Sequence, residues 1–358
     1  MRNRILVIST AVLFALATSA TAQNMTATQL ALACQTNPGN TVALTDSSKI
    51  EGGTASATSG CTITIPETKA LELVNARITF NGPLTIVGAV KTKVELVDGS
   101  RFTASGINLN FTAFESEVKV DKSNLSAGAG GVQIAVGDIA KVQFAYASGA
   151  GNTVDSTGPV TFSAGTKLTL EMNNVVFSGG GLNFNFNGPD SVLKAENADV
   201  GTKAVGQNVS FSGSGAKTMI EASQSRFAAH GNVNINLAGS ESTLKAGVSS
   251  RISAGSSVNI ALSNASGNGL LELAQVRIDA ASADINASAD SEKGKVIYKL
   301  GTAITSGNLT FRTGSLGTTE VAESTLTSGS TLRIASGPLG VCKQEKNVIT
   351  APIQSLCN

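Results

Sequence analysis

The chain has 358 residues, of which 38 are Gly, 4 are Cys, one is His and none is Trp. Charged residues make up only 14% and nearly cancel, giving a formal net charge of +1, which argues against a basic nucleic-acid binder. Hydrophobic residues reach 41%, so the chain has enough apolar material for a core and is not of disordered composition. With one His and scattered acids, we expect no catalytic residue, no metal site and no cofactor.

The first 22 residues have the parts of a secretory signal peptide. Arg2 and Arg4 give a positive start, and Ile5–Ala17 is an apolar stretch too short to span a bilayer. Small residues ending at Ala22 predict cleavage there, with an uncleaved anchor as the alternative. No later stretch predicts a transmembrane segment in the mature chain. We therefore expect a secreted protein that is extracellular, at the cell surface or periplasmic.

The four cysteines lie near the two ends of the chain, as Cys34 and Cys61 and as Cys342 and Cys357. Export makes disulfides chemically permissible, and four cysteines allow three pairings. The elongated fold predicted below separates the two ends, whereas the Cα atoms of a disulfide lie within about 7 Å of each other. We therefore expect the bonds Cys34–Cys61 and Cys342–Cys357.

Most of the chain repeats one pattern about every 25 residues. Each repeat has a triplet in which a polar residue stands between two apolar ones, the alternation of a half-buried strand. The triplets begin at Leu84, Ile107, Val132, Val160, Leu182, Val209, Val233, Val258, Ala283, Leu309 and Leu332. A second and a third short strand follow in each repeat, and clusters of Gly, Ser and Asn supply the turns between them. Three short strands per repeat predict one coil of a parallel β-solenoid.

The predicted fold is therefore all-β: a single parallel β-helix (β-solenoid) of about 11–12 coils. We place the signal peptide at 1–22, an N-terminal cap at 23–64, the β-helix at 65–340 and a C-terminal cap at 341–358. An open solenoid end exposes unpaired strand edges and invites stacking. One interpretation is that disulfide-clamped caps stop polymerisation. The other is that the end segments mediate head-to-tail assembly into a filament.

Outward residues of the second strand are predicted to stack from coil to coil into a charge ladder. After Glu72, Glu95, Lys119, Gln143 and Thr169, the predicted column continues through Lys194, Glu221, Lys245, Glu272, Lys299, Glu320 and Lys343. The last seven alternate in sign. Stacked opposite charges stabilise by roughly a few tenths to 1 kcal/mol each, and like charges destabilise by similar amounts. Since the signs cancel, a structural ladder is favoured over a track for a charged ligand.

The outward residues of the first strand are predicted to form an almost uncharged column of amides and hydroxyls. Its members are Thr85, Asn108, Gln133, Thr161, Asn183, Ser210, Asn234, Asn259, Asp284, Thr310 and Arg333. Stacked Asn side chains that bond to one another are one interpretation. The other is a flat hydrogen-bonding face for a glycan or another extended polar ligand, with Asn108, Asn183, Asn234 and Asn259 as candidate ligand residues. Aromatic platforms for sugar stacking are missing from it, because Phe residues such as Phe162 and Phe184 fall on inward positions.

Solenoids that cleave polysaccharides need paired carboxylates, or Ca²⁺-binding acids beside a basic residue. The acids of this chain are dispersed, and the segment Ala229-His230-Gly231 has no acidic cluster with it. We interpret His230 as a solvated turn residue. The sequence thus predicts a protein that is not an enzyme.

Two runs carry a family resemblance: SRFAAHGNVNI from Ser225 to Ile235 and SRISAGSSVNI from Ser250 to Ile260. They resemble the degenerate repeats of filamentous-haemagglutinin and autotransporter-passenger proteins, and the resemblance covers about residues 65–340. It implies a right-handed parallel β-helix, exported by Gram-negative bacteria and often adhesive. It implies no site residues, because it rests on repeats and not on a binding motif.

Together these observations predict a secreted, non-enzymatic β-helical rod with a structural or adhesive role at the cell exterior. The expected partners are a glycan, a host or cell surface, or a second copy of the chain joined head to tail, and not nucleic acid. A self-assembling extracellular filament or matrix subunit is the alternative. A polysaccharide-active enzyme is the third hypothesis.

Overall fold

The computed structural model describes residues 24–145, 151–263 and 267–357. It is an all-β parallel solenoid of about 13 coils with about 24 residues in each, which confirms the predicted fold class. At the ~4.8 Å spacing of hydrogen-bonded strands, 13 coils stack to a rod of about 60 Å. The predicted signal peptide, residues 1–22, lies outside the described residues.

Each coil contributes one strand to each of three parallel sheets. The first sheet has 14 strands: Thr41–Ala43, Cys61–Ile65, Leu84–Gly88, Ile107–Phe111, Val132–Val136, Val160–Ala164, Leu182–Phe186, Val209–Gly213, Val233–Leu237, Val258–Leu262, Ile285–Ala289, Leu309–Thr313, Thr331–Ala335 and Ile353–Leu356.

The second sheet has 13 strands: Ser48–Glu51, Ala70–Val74, Lys93–Val97, Glu117–Val120, Lys141–Phe144, Thr169–Asn173, Val192–Glu196, Met219–Ser223, Thr243–Gly247, Leu270–Ala274, Lys295–Lys299, Thr318–Ala322 and Val341–Glu345. The third sheet also has 13 strands: Thr54–Ala57, Arg77–Phe80, Arg101–Ala104, Asn124–Ala127, Asn152–Ser156, Val175–Gly179, Asp199–Thr202, Arg226–Ala229, Arg251–Ala254, Arg277–Ala280, Thr302–Thr305, Thr325–Ser328 and Val348–Thr350.

The core is a set of stacked columns, because the strands before the last coil mostly alternate between an inward apolar residue and an outward polar one. The rings of Phe162, Phe184 and Phe211 occupy successive coils and stack in parallel, with centroids 5.1 and 4.7 Å apart. Each such ring pair stabilises the fold by about 0.5–1.5 kcal/mol, in addition to the stabilisation that comes from burying the apolar area of the rings. Tyr298 is also fully buried: its hydroxyl donates to the Val276 carbonyl oxygen at 3.0 Å, and burial raises its pKa.

Small polar side chains satisfy the backbone at the buried turns. The Ser100 hydroxyl accepts a hydrogen bond from the Ala76 amide of the preceding coil and donates to the Val97 carbonyl oxygen at 2.7 Å. Ser225 accepts in the same way from the amide of Ala198. Because buried polar groups cost free energy when they lack a partner, this serine pattern lets the turns pass close to the core.

The solenoid extends beyond both predicted boundaries. Its first strand begins at Thr41, inside the predicted N-terminal cap, and its last strand ends at Leu356, inside the predicted C-terminal cap. The last three strands pair in register with the coil before them, so the predicted C-terminal cap is one more coil. The sequence pattern missed this coil because Gln344 and Gln354 stand at positions where earlier coils carry apolar residues.

The N-terminal end is covered by helix α1, Ala27–Thr36, which a 3-10 turn, Pro38–Asn40, joins to the first strand. A capping box starts the helix: the Gln29 amide donates to the Thr26 hydroxyl, and the Gln29 side chain accepts from the Thr26 amide. Leu30 and Cys34 on its inner face are fully buried. The helix therefore shields the end of the core from water.

Two disulfides close the ends of the solenoid. Cys34 of α1 is bonded to Cys61 of the first sheet, and Cys342 is bonded to Cys357 across the last coil, each with Cα atoms 5.2 Å apart. Both predicted pairings are confirmed. The two disulfides are compatible with an extracellular location.

Candidate functional site

The outer face of the first sheet carries the predicted polar column. Asn234, Asn259 and Asn286 are register partners in three consecutive coils. The side-chain amide of Asn259 donates to Oδ1 of Asn234 at 3.1 Å, and that of Asn286 donates to Oδ1 of Asn259 at 3.2 Å. This part of the face is an amide ladder, in which the side chains bond to one another.

The remaining candidate ligand residues lie earlier in the same column. Asn108 pairs in register with Gln133, and Asn183 pairs with Ser210. All four candidates are half-buried. The structure therefore places the four on one face but makes only Asn234 and Asn259 direct neighbours.

Asp284 was predicted in this column, and that position is wrong. Asn286 occupies it instead, and Asp284 lies in the preceding turn. There Oδ1 of Asp284 accepts a hydrogen bond from the backbone amide of Asn308 in the next coil at 2.7 Å. Asn232 accepts from the Ser257 amide in the same way at 3.0 Å, so these side chains join successive turns.

The second sheet carries the predicted charge ladder, with two corrections to its register. Lys194, Glu221, Lys245 and Glu272 are direct partners in consecutive coils, as predicted. The next position belongs to Ile297 and not to Lys299, because Ile297 pairs with both Glu272 and Glu320. Lys343 follows Glu320 as predicted.

The other correction lies before Lys194. Its partner is Glu171, which in turn pairs with Gln143, whereas Thr169 pairs with Lys141. The correction extends the alternation, since Glu171, Lys194, Glu221, Lys245 and Glu272 now form five consecutive members of alternating sign.

Two parts of the ladder form close ion pairs. Lys119 approaches Glu95 to 3.5 Å, and Lys299 approaches Glu320 diagonally to 2.8 Å. The hydrogen bond between the last two raises the pKa of Lys299 and lowers the pKa of Glu320. Glu95 is also paired with Lys93 of its own strand, at 3.2 Å.

Between those two parts the ladder borders a groove of about 660 Å³, which we name the ladder groove. Its charged lining consists of Glu171, Lys194, Glu196, Glu221, Lys245 and Glu272. Its floor is the column two residues further along the strands, where Ser223, Gly247 and Ala274 have short side chains or none. The groove exists because long charged side chains stand beside these small residues.

The third sheet presents a column of arginines that sequence reasoning missed. Arg226, Arg251 and Arg277 are register partners in consecutive coils. Arg226 pairs with Asp199 at 2.9 Å, and Asp279 pairs with both Arg251 at 3.0 Å and Arg277 at 2.8 Å. The sequence signal was an Arg before an apolar residue once in each of these coils.

His230 lies in the bend after the third strand of its coil and is exposed, as predicted. Its backbone amide donates to the Thr202 hydroxyl at 2.9 Å, and its Nδ1 shares a hydrogen bond with the same hydroxyl at 3.2 Å. His230 thus links two turns. Across the described ranges, no three His, Cys, Asp or Glu residues are grouped so that they could hold a metal ion.

None of the described helices has both the length and the apolar character needed to cross a membrane. No family model, no curated protein and no solved structure matches this chain.

Proposed function

We propose that this protein is a secreted, non-enzymatic rod with a structural or adhesive role at the cell exterior. The observation that carries the proposal is the continuity of the three sheets, which run in register through about 13 coils. Such a solenoid holds its outer residues at a fixed spacing over its whole length. The two disulfides and the repeat resemblance to exported adhesive proteins support the location.

Export is tested by expressing the full chain in a Gram-negative host and sequencing the N-terminus of the exported product. We expect a mature start at Gln23. Product that stays in the cytoplasm, or that keeps residues 1–22 and remains membrane-bound, contradicts the proposal.

Adhesion is tested with beads coated with the mature protein, applied to a glycan array and to cell surfaces. Binding above that of beads coated with denatured protein supports the adhesive role. If native protein binds neither glycans nor cells, the structural role is the one that stands. Release of reducing ends from a polysaccharide panel by the pure protein would show that it is an enzyme.

Self-assembly into a filament or matrix is the second candidate, and the C-terminal end of the described chain favours it. The last coil has no further strand beside it among the described residues, and it exposes Val341, Val348 and Ile353 at 49, 64 and 60%. An exposed strand edge with apolar neighbours is a pairing site. Helix α1 covers the opposite end, so head-to-tail stacking requires α1 to move.

Electron microscopy of the mature protein separates the two candidates. Isolated rods of about 60 Å, the length of 13 stacked coils, favour the adhesive or structural rod. Long fibres of one rod's width favour the filament.

A further inference from the structure

We propose that the ladder groove on the second sheet binds a linear β-linked aminoglycan, with the sugar chain lying along the solenoid axis and its protonated amino groups on the glutamates. The inference rests on the adhesive form of the proposed function and names a site and a ligand class for it.

Four of the charged groups in the groove have no close ionic partner, whereas Glu171 accepts a hydrogen bond from the side-chain amide of Gln143. Lys194, Glu221, Lys245 and Glu272 are direct register neighbours of alternating sign, yet no two of them form an ion pair within 4 Å. Outside the groove the direct neighbours Glu95 and Lys119 do form such a pair, and Glu320 is paired diagonally with Lys299. The groove residues therefore keep hydrogen-bonding capacity for a ligand.

The groove carries a net negative charge. Its lining carries four glutamates and two lysines, so the carboxylates outnumber the ammonium groups by two. A cationic ligand is favoured by this excess, and a polyanion is disfavoured. The lysines between the glutamates can donate hydrogen bonds to hydroxyl or ring oxygens of the intervening sugars.

The spacing of the coils matches the repeat of a β-1,4-linked sugar chain. Adjacent coils are ~4.8 Å apart, so Glu221 and Glu272, two coils apart, are separated by about 10 Å along the axis. One sugar of a β-1,4-linked chain advances by about one such coil spacing, and successive sugars turn opposite sides to the protein. Amino groups on one side therefore recur every second sugar and meet every second coil.

Peptide ligands do not match this geometry. Side chains on one face of an extended peptide recur every ~6.8 Å, which fits neither one nor two coil spacings. The groove spans four coil spacings from Glu171 to Glu272, about 19 Å.

The test is calorimetric titration of the mature protein with glucosamine oligomers of increasing length. The oligomers are β-1,4-linked, and the titration is done near pH 5.5. Matched N-acetylglucosamine oligomers are the neutral comparison, and oligogalacturonate is the anionic one. We expect binding of glucosamine oligomers from the trimer upwards, the length that reaches both Glu221 and Glu272, and weaker binding as salt is raised.

Three variants locate the site. Glu221→Gln and Glu272→Gln are each expected to weaken binding about 3–10-fold, as for the loss of one partly exposed charge pair. Gly247→Leu fills the floor without changing charge and is expected to weaken binding at least as much. Glu320→Gln, in the same column but outside the groove, is the control and should bind as the unmodified protein does.

Equal binding of glucosamine and N-acetylglucosamine oligomers, or unchanged binding by the Glu221→Gln/Glu272→Gln double variant, overturns the inference. If that double variant loses oligomer binding but keeps adhesion to cells, the groove assignment stands and a second adhesive surface exists. If beads adhere and no glucosamine oligomer binds, the inference fails while the proposed function stands. If nothing adheres, the adhesive function fails as well.

Discussion

Lys245 lies between two carboxylates in the stack, since it is the register partner of both Glu221 and Glu272. We predict that Lys245→Glu destabilises the protein, because three carboxylates would then follow one another at the ~4.8 Å coil spacing. Neighbouring like charges cost up to about 1 kcal/mol per pair. The measurement is the thermal midpoint at low and at high salt.

Lys245→Gln is the matched control, because it removes the ammonium group without adding a carboxylate. We expect its midpoint to fall less than that of Lys245→Glu, and we expect salt to narrow the difference by screening the repulsion. An unchanged midpoint for Lys245→Glu at low salt would contradict the ladder.

Glu320 makes the contribution of the ladder to stability depend on pH. Its hydrogen bond from Lys299 lowers its pKa below the ordinary 4.5. A group whose pKa is lowered by folding stabilises the folded state above its unfolded pKa, and this contribution is lost as the pH falls through the folded value. Glu320→Gln should therefore have a lower free energy of unfolding than the unmodified protein at neutral pH. This difference should become smaller below about pH 4.5.

Urea unfolding at neutral and at acidic pH measures this difference in the free energy of unfolding. Glu292→Gln changes a carboxyl for which no close ion pair is formed in the described chain, and it serves as the control. If the difference in the free energy of unfolding is the same at both pH values, the ion pair with Lys299 contributes nothing to stability.

The register errors at the residue scale share one physical cause. Alternation in a strand determines which side chains face outward, but a shift by two residues leaves every side chain on the same face. Ile297 and Lys299 both face outward, because Val296 before them and Tyr298 between them are buried. The sequence pattern predicts the face, whereas the turn lengths decide which of two outward residues joins the column.

At the scale of the element, helix α1 is the part that periodicity did not predict. It is a single ten-residue helix, and its role depends on packing against the first coils and on the bond from Cys34 to Cys61. The strands were predictable because their pattern recurs in every coil. The helix occurs once, and a short helix owes its stability to tertiary contacts.

A substitution at Leu30 tests whether α1 covers the N-terminal end of the core. Leu30 is fully buried, so Leu30→Ala should cost about 2–5 kcal/mol and loosen the contact between α1 and the first coil. Hydrogen exchange should rise in α1 and in the strand Ser48–Glu51. Leu32→Ala on the same helix is the control, because Leu32 is 56% exposed. Equal exchange in the two variants would show that α1 does not protect the end of the core.

At the scale of the whole molecule, the architecture follows from the repeat, whereas the candidate binding groove depends on the register between coils. The pattern predicted three strands per coil, the inward Phe column and both disulfide pairings. It did not predict the groove, because the depth of a groove depends on which small residues stand beside the ladder. Ser223 and Gly247 lie side by side on the groove floor because the register pairs them, and the sequence pattern does not determine that register.

Because each coil contacts mainly its neighbours, stability in such a rod is local, and the disulfide across the last coil tests this. Cys342 and Cys357 are 15 residues apart, and closing a loop of that length is worth about 3 kcal/mol in the chain-entropy model. In the double variant Cys342→Ala/Cys357→Ala we expect hydrogen exchange to rise in the strands Val341–Glu345, Val348–Thr350 and Ile353–Leu356. Exchange in the central coils should stay unchanged, because no contact there is altered. If the central coils exchange faster as well, the solenoid opens as one cooperative unit, and the nearest-neighbour description of its stability is wrong.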